Sequence, residues 1–196
     1  MAISQQHTFD NLIDNVYRTH CLMQQTAQKS VNQLLEIQNW ITGYYIVEYE
    51  QNGYDRAKYG ERLIDEMSRN LKMKGLKGYS PISLRTIRSF YRTYPQIQQS
   101  VTVELQKTSF ETYKQLPFSN IQIQQSPTVE SCEAYPIPNE VLLSHLTYTH
   151  FVELMRAKEP LERLFYEVET IKNNWTVKQL ERAFDTGLYV RTGLSR

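Results

Sequence analysis

From Ser30 to Glu50 the chain places Val31, Leu34, Leu35, Ile41, Tyr45 and Ile46 at helical spacing, with no proline among them. Such a segment folds as a long amphipathic helix, and its apolar stripe then has to be covered by other elements of the same kind. The rest of the chain supplies them. Phe9, Leu12, Ile13, Val16 and Tyr17 show the same period ahead of it, behind an amino end around Ser4 to His7 that is expected to fray. Leu63, Ile64, Met67 and Leu71 form a stripe of about three turns after Gly60. Leu84, Ile87, Phe90, Tyr91 and Tyr94 form the next. The spacing therefore predicts a mainly α protein, a helical bundle.

Punctuation residues divide the bundle. Gly53 is expected to stop the long helix. Lys74-Gly75-Leu76-Lys77-Gly78-Tyr79 reads as a compact turn, and Ser80-Pro81 as a cap followed by a first-turn proline. The helix so opened runs from about Pro81 to Tyr94 and stops before Pro95. Residues 95–138 are rich in glutamine and interrupted by Pro117, Pro127, Pro136 and Pro138. A helix over 102–115 and strands over 101–105 and 120–124 all fit there. The stretch 117–138 reads as an irregular connector, or as an arm to another subunit.

Regular patterning resumes with Val141, Leu142, His145 and Leu146, then with a helix around Thr149 to Ala157. Leu161, Leu164, Phe165, Val168 and Ile171 form the clearest stripe of the second half, Thr176 caps a last helix, and Gly187 ends it. Two blocks result, 8–95 and 139–190. Each is short enough to leave its stripes one-sided, so the two are expected to pack as one unit.

Bulk charge selects no partner, because 22 basic residues face 21 acidic ones. No long apolar run or basic-then-apolar leader appears, so a membrane protein is not expected. Cys21 and Cys132 stand alone, without metal or redox spacing, which fits a reduced cytoplasmic protein. The distribution of charge is informative. Residues 1–52 hold two basic and five acidic side chains, whereas residues 53–92 hold ten basic and four acidic, a net +6. Part of that reflects the ordinary outer faces of helices.

The rest is a pattern. Arg85, Arg88 and Arg92 are three and four residues apart, on one side of their helix and away from Leu84, Ile87 and Tyr91. Thr86 and Ser89 lie on the same polar arc, and Lys72, Lys74 and Lys77 approach from the preceding helix and turn. Two helices joined by a short glycine turn, the second one basic, form a helix-turn-helix or winged-helix-like unit suited to DNA. The arginines would hold phosphates or read a groove, and the lysines would add longer-range attraction.

Other chemistry is poorly supported. Tyr44, Tyr45, Glu48, Tyr59 and Arg62 could line a polar pocket, although tyrosines at this spacing more often pack. His7, His20, His145 and His150 lack a metal-ligand frame, so neither a metal nor a cofactor is expected. His150 fits an interhelical hydrogen bond better, with a nucleic-acid contact as the alternative. Asp55-Arg56 and Asp65-Glu66 are accounted for by surface pairing, and no serine triad, phosphate loop or Glu-x-Lys triplet is present. The residues alone thus predict a protein that is not an enzyme.

A resemblance adds to this reading. Asn32-Gln33-Leu34-Leu35, Trp40 through Ile46 and Gln51 through Gly60 resemble the opening motif of the DUF1016 N-terminal domain (YhcG-like) family. Gly78-Tyr79-Ser80, Arg88, Phe90-Tyr91 and Tyr94-Pro95 continue the likeness. Leu143 through His150, Arg163, Phe165-Tyr166 and Trp175 through Leu180 are similar to its second block. The likeness implies a domain over 8–192 of a kind usually joined to a PD-(D/E)XK-type nuclease domain. It further implies DNA and a nuclease domain or subunit as partners. DNA binding or target positioning is the expected role; a protein–protein or homo-oligomer interface is the alternative.

Overall fold

A computed structural model describes residues 9–52, 62–98 and 136–194 of the chain. Helix α1 (Phe9–Asn52) is followed by α2 (Leu63–Met73), α3 (Pro81–Thr93) and a 3-10 turn at Pro95–Ile97. The second half holds α4 (Asn139–His145), α5 (Tyr148–Leu154), α6 (Pro160–Asn173), α7 (Val177–Asp185) and α8 (Leu188–Leu194). The described residues contain helices and no strand, so the helical class stands and no wing is seen among them. The Gly53 stop and most of the connector expected at 117–138 lie outside the described residues, as do the helix and strands considered at 101–124.

Two boundaries differ from expectation. The stripe at Phe9–Tyr17 and the one at Ser30–Glu50 belong to a single helix of 44 residues. The polar residues between them, such as Gln24, Gln25, Thr26 and Gln28, leave the stripe sparse without breaking the helix. Gly187 does end α7, at φ +60°, but the chain resumes as α8 one residue later.

The body of the protein sits on the second half of α1. Its first buried residues are Glu36 and Ile37, followed by Trp40, Tyr44, Ile46 and Val47. Gly43 lets α3 approach closely: a Cβ there would lie 2.5 Å from the Ile87 carbonyl oxygen and 2.7 Å from Tyr91 Cβ. Beside this contact the Trp40 indole Nε1 donates to the Tyr94 carbonyl at 2.9 Å, which satisfies its one polar group. Ile37, Trp40 and Tyr44 then join Phe90 of α3 and Tyr94, which caps its end, with Leu142, Phe151, Tyr166 and Leu180 in one core. Phe90, Tyr94 and Phe151 meet edge to face or tilted, with centroids 4.9–5.7 Å apart.

A polar link crosses the same region. The Tyr94 hydroxyl donates at 2.8 Å to Glu167, which is completely buried on α6, and Arg163 one turn earlier lies 3.6 Å from the same carboxylate oxygen. A smaller cluster, Ile46 with Ile64, Leu84 and Ile87, seats α2 and α3 on α1.

Candidate nucleic-acid interface

The α2–turn–α3 unit is built from local signals. At the end of α2 the Gly75 amide bonds to the Lys72 carbonyl and the Leu76 amide to the Leu71 carbonyl, a Schellman closure with Gly75 at φ +82°. A side chain other than glycine is strained in that left-handed region. Ser80 Oγ then accepts from the Ser83 amide at 3.1 Å, with Pro81 in the first turn, and α3 begins. Two further bonds fix the turn: Ser68 Oγ donates to the Tyr79 carbonyl, and Gln38 of α1 donates to the Tyr79 hydroxyl, both at 2.8 Å.

The residues expected to contact nucleic acid do not share one environment. Lys72, Lys74 and Lys77 are exposed on the end of α2 and the turn. Arg85 is half exposed and lies 3.4 Å from Asp65 of α2. Arg88 and Arg92 both donate to Glu50 of α1, at 2.5 and 2.8 Å, and Arg88 keeps only 28% of its side-chain surface exposed. The arginine row therefore leans over carboxylates of neighbouring helices rather than standing free of them. Thr86 is half-buried and returns its hydroxyl to the Ile82 carbonyl, whereas Ser89 is exposed.

His150 is elsewhere, buried at the start of α5. Its Nδ1 accepts from the Thr147 amide at 3.1 Å, and its Nε2 lies 3.0 Å from the Trp175 carbonyl, to which the protonated nitrogen donates. Burial holds its pKa below the usual histidine range, although the Trp175 bond works against that. The ring thus ties α5 to the segment before α7.

Sequence reasoning missed Glu50 and Ile82. Glu50 lies 38 and 42 residues from its arginine partners, beyond any helical spacing rule. Ile82 is 75% exposed on the first turn of α3, beside the Thr86–Ser89 arc. Its departure from the Leu84–Ile87–Tyr91 stripe was the available signal. Along α2, the turn and α3, seven cations face Asp65 and Glu66, and Glu50 adds a third carboxylate, leaving a net +4.

Of the tyrosines considered for a polar pocket, Tyr44 is buried and packs, and Tyr45 is exposed. Tyr44 lies between Trp40 and Tyr91, with centroids 6.5 and 5.7 Å away, while Tyr59 is outside the described residues. Among the described residues no group of three His, Cys, Asp or Glu side chains could hold a metal ion, and no helix is long and apolar enough to cross a membrane.

A model of the DUF1016 N-terminal domain family matches residues 20–191. The chain belongs to that family. It is also 34% identical over 169 residues to the Escherichia coli (strain K12) protein named "Putative nuclease YhcG", a match that covers 85% of this chain and 42% of that protein. The chain thus spans less than half the length of this curated relative. No solved structure matches.

The nuclease name of the relative overturns the expectation of a protein that is not an enzyme. The missing Glu-x-Lys triplet could not decide the point, because more than half of the relative lies beyond the matched region.

Proposed function

We propose that this DUF1016 N-terminal domain is the DNA-binding, target-positioning part of a nuclease-family protein that acts in the cytoplasm. The α2–turn–α3 unit carries the interface, and a nuclease domain or subunit uses the DNA so positioned. The observation behind this reading is the exposed lysine group at the turn, Lys72, Lys74 and Lys77, beside a capped helix bearing three arginines. Lysines of this kind attract the phosphate chain at long range. The uncharged arc of Ile82, Thr86 and Ser89 then meets a groove, and phosphates take over Arg85, Arg88 and Arg92 from Asp65 and Glu50. Exchanging one anion for another keeps each guanidinium solvated or paired throughout.

Replacing Arg85, Arg88 and Arg92 together with glutamine tests this assignment in a duplex titration followed by fluorescence anisotropy. Binding should weaken at least tenfold while circular dichroism shows unchanged helix content. Unchanged affinity in a folded variant would remove the arginines from the interface.

A further inference from the structure

The first half of α1 stands clear of the body. No described side chain from Ile13 to Leu35 is buried, and Val16, Met23, Val31 and Leu34 are among the exposed large apolar residues. At about 100° per residue, Ile13, Val16, His20, Met23, Val31 and Leu34 fall within an arc of about 80°. Arg18 and Lys29 fall on the opposite side of the helix. The buried residues of α1, Glu36, Ile37, Trp40, Gly43, Tyr44, Ile46 and Val47, are centred roughly 160° from the stripe on the same wheel. The apolar stripe therefore lies on the side of α1 opposite the centre of its buried face.

In proteins most helical stability comes from packing an amphipathic face, and this half of α1 buries none of its described side chains. The two ends of the stripe also match each other in polarity. About a midpoint between Met23 and Gln24, Ile13 falls opposite Leu34, Val16 opposite Val31, and His20 opposite Ala27. An antiparallel copy of the same helix meets the stripe in this register with apolar residues opposite apolar ones at both ends, and it leaves the two bodies at opposite ends. The paired segment is about 33 Å long at 1.5 Å per residue. Covering it removes on the order of 700 Å² from each chain, close to the ~800 Å² per partner of a standard interface.

We propose that α1 is a dimerisation arm, pairing antiparallel with α1 of a second copy of this chain through the Ile13–Leu34 stripe. A two-fold pairing of this kind is isologous, each chain giving and receiving the same contacts. It also sets two α2–turn–α3 units on one assembly, although the pairing itself does not depend on DNA binding.

The test is made without DNA. Light scattering on the full chain should give twice its 23.2 kDa, and the exposed-face variant Val16→Glu/Met23→Glu/Val31→Glu should give a monomer with an unchanged body melting transition. A wild-type monomer at tens of micromolar overturns the proposal, because the stripe must then be covered by another segment or another protein. A variant that remains dimeric overturns it as well. For the orientation, chains carrying Ile13→Cys and chains carrying Leu34→Cys, each with Cys21→Ser and Cys132→Ser, are mixed and oxidised. The 13–34 cross-link should predominate; a predominance of 13–13 and 34–34 products refutes the antiparallel register.

Discussion

Gly43→Ala measures how much of the fold rests on the close approach of α1 and α3. Two effects oppose each other. In a helix interior alanine is favoured over glycine by about 1 kcal/mol, so propensity alone makes the variant more stable. Against that, the new methyl would sit 2.5 Å from the Ile87 carbonyl oxygen and 2.7 Å from Tyr91 Cβ, where ordinary contact begins at 3.4 Å. The Ile87 atom is backbone and cannot rotate aside, so the helices must part by roughly an ångström, which loosens Trp40 and Tyr91 beside them. Overpacking of this kind costs about 1–3 kcal/mol, and a backbone obstacle places it near the upper end. The net expectation is a loss of about 2 kcal/mol. For a chain of this size that lowers Tm by roughly 4–8 °C. Urea denaturation followed by circular dichroism reads the change directly. A variant as stable as the wild type, or more stable, refutes the packing described for Gly43.

Other expectations follow from the buried and paired groups. Burial raises the Glu36 carboxyl to about 9 from 4.5, so its stabilising contribution is complete below pH 4.5 and declines as pH rises towards 9. In thermal melts across that range, Glu36→Gln should flatten the fall in Tm; an unchanged pH profile contradicts the assignment. His150 has the opposite sign: its ring is held neutral in the fold, so stability falls as pH drops below 6.5, and His150→Ala should cost about 1–3 kcal/mol through the orphaned Thr147 amide and Trp175 carbonyl. Glu50→Gln releases Arg88 and Arg92 from a partly exposed carboxylate, and should lower stability by about 1 kcal/mol or less while tightening duplex binding several-fold. Looser binding by that variant would argue against a DNA contact by these arginines.

Local signals were legible in the sequence, and long-range ones were not. Ser80-Pro81 and Thr176 mark the starts of α3 and α7 because a cap depends on its immediate neighbours. The stripes of α2 and α3 identify their inner faces for the same reason. The partners of the arginines could not be read this way: Glu50 joins Arg88 and Arg92 only once Gly43 has set α1 against α3. The continuity of α1 was hidden because residues 22–31 near its middle are exposed, so no apolar burial pattern marks it. Gly187 reads as a terminator and is one, yet a positive-φ residue can also turn the chain directly into another helix.

The central claim is that the cations of α2, the turn and α3 neutralise DNA phosphates, and the salt dependence of binding tests it most directly. For duplex DNA the slope of log K against log salt is about −0.9 per phosphate neutralised. The variant Lys72→Gln/Lys74→Gln/Lys77→Gln removes exposed charges at the turn without touching the core. Its slope should be shallower than that of the wild type by between about 1 and 3 units, with weaker binding at low salt and convergence at high salt. Identical slopes for the two proteins would contradict the account and place the DNA contact on another face of the molecule.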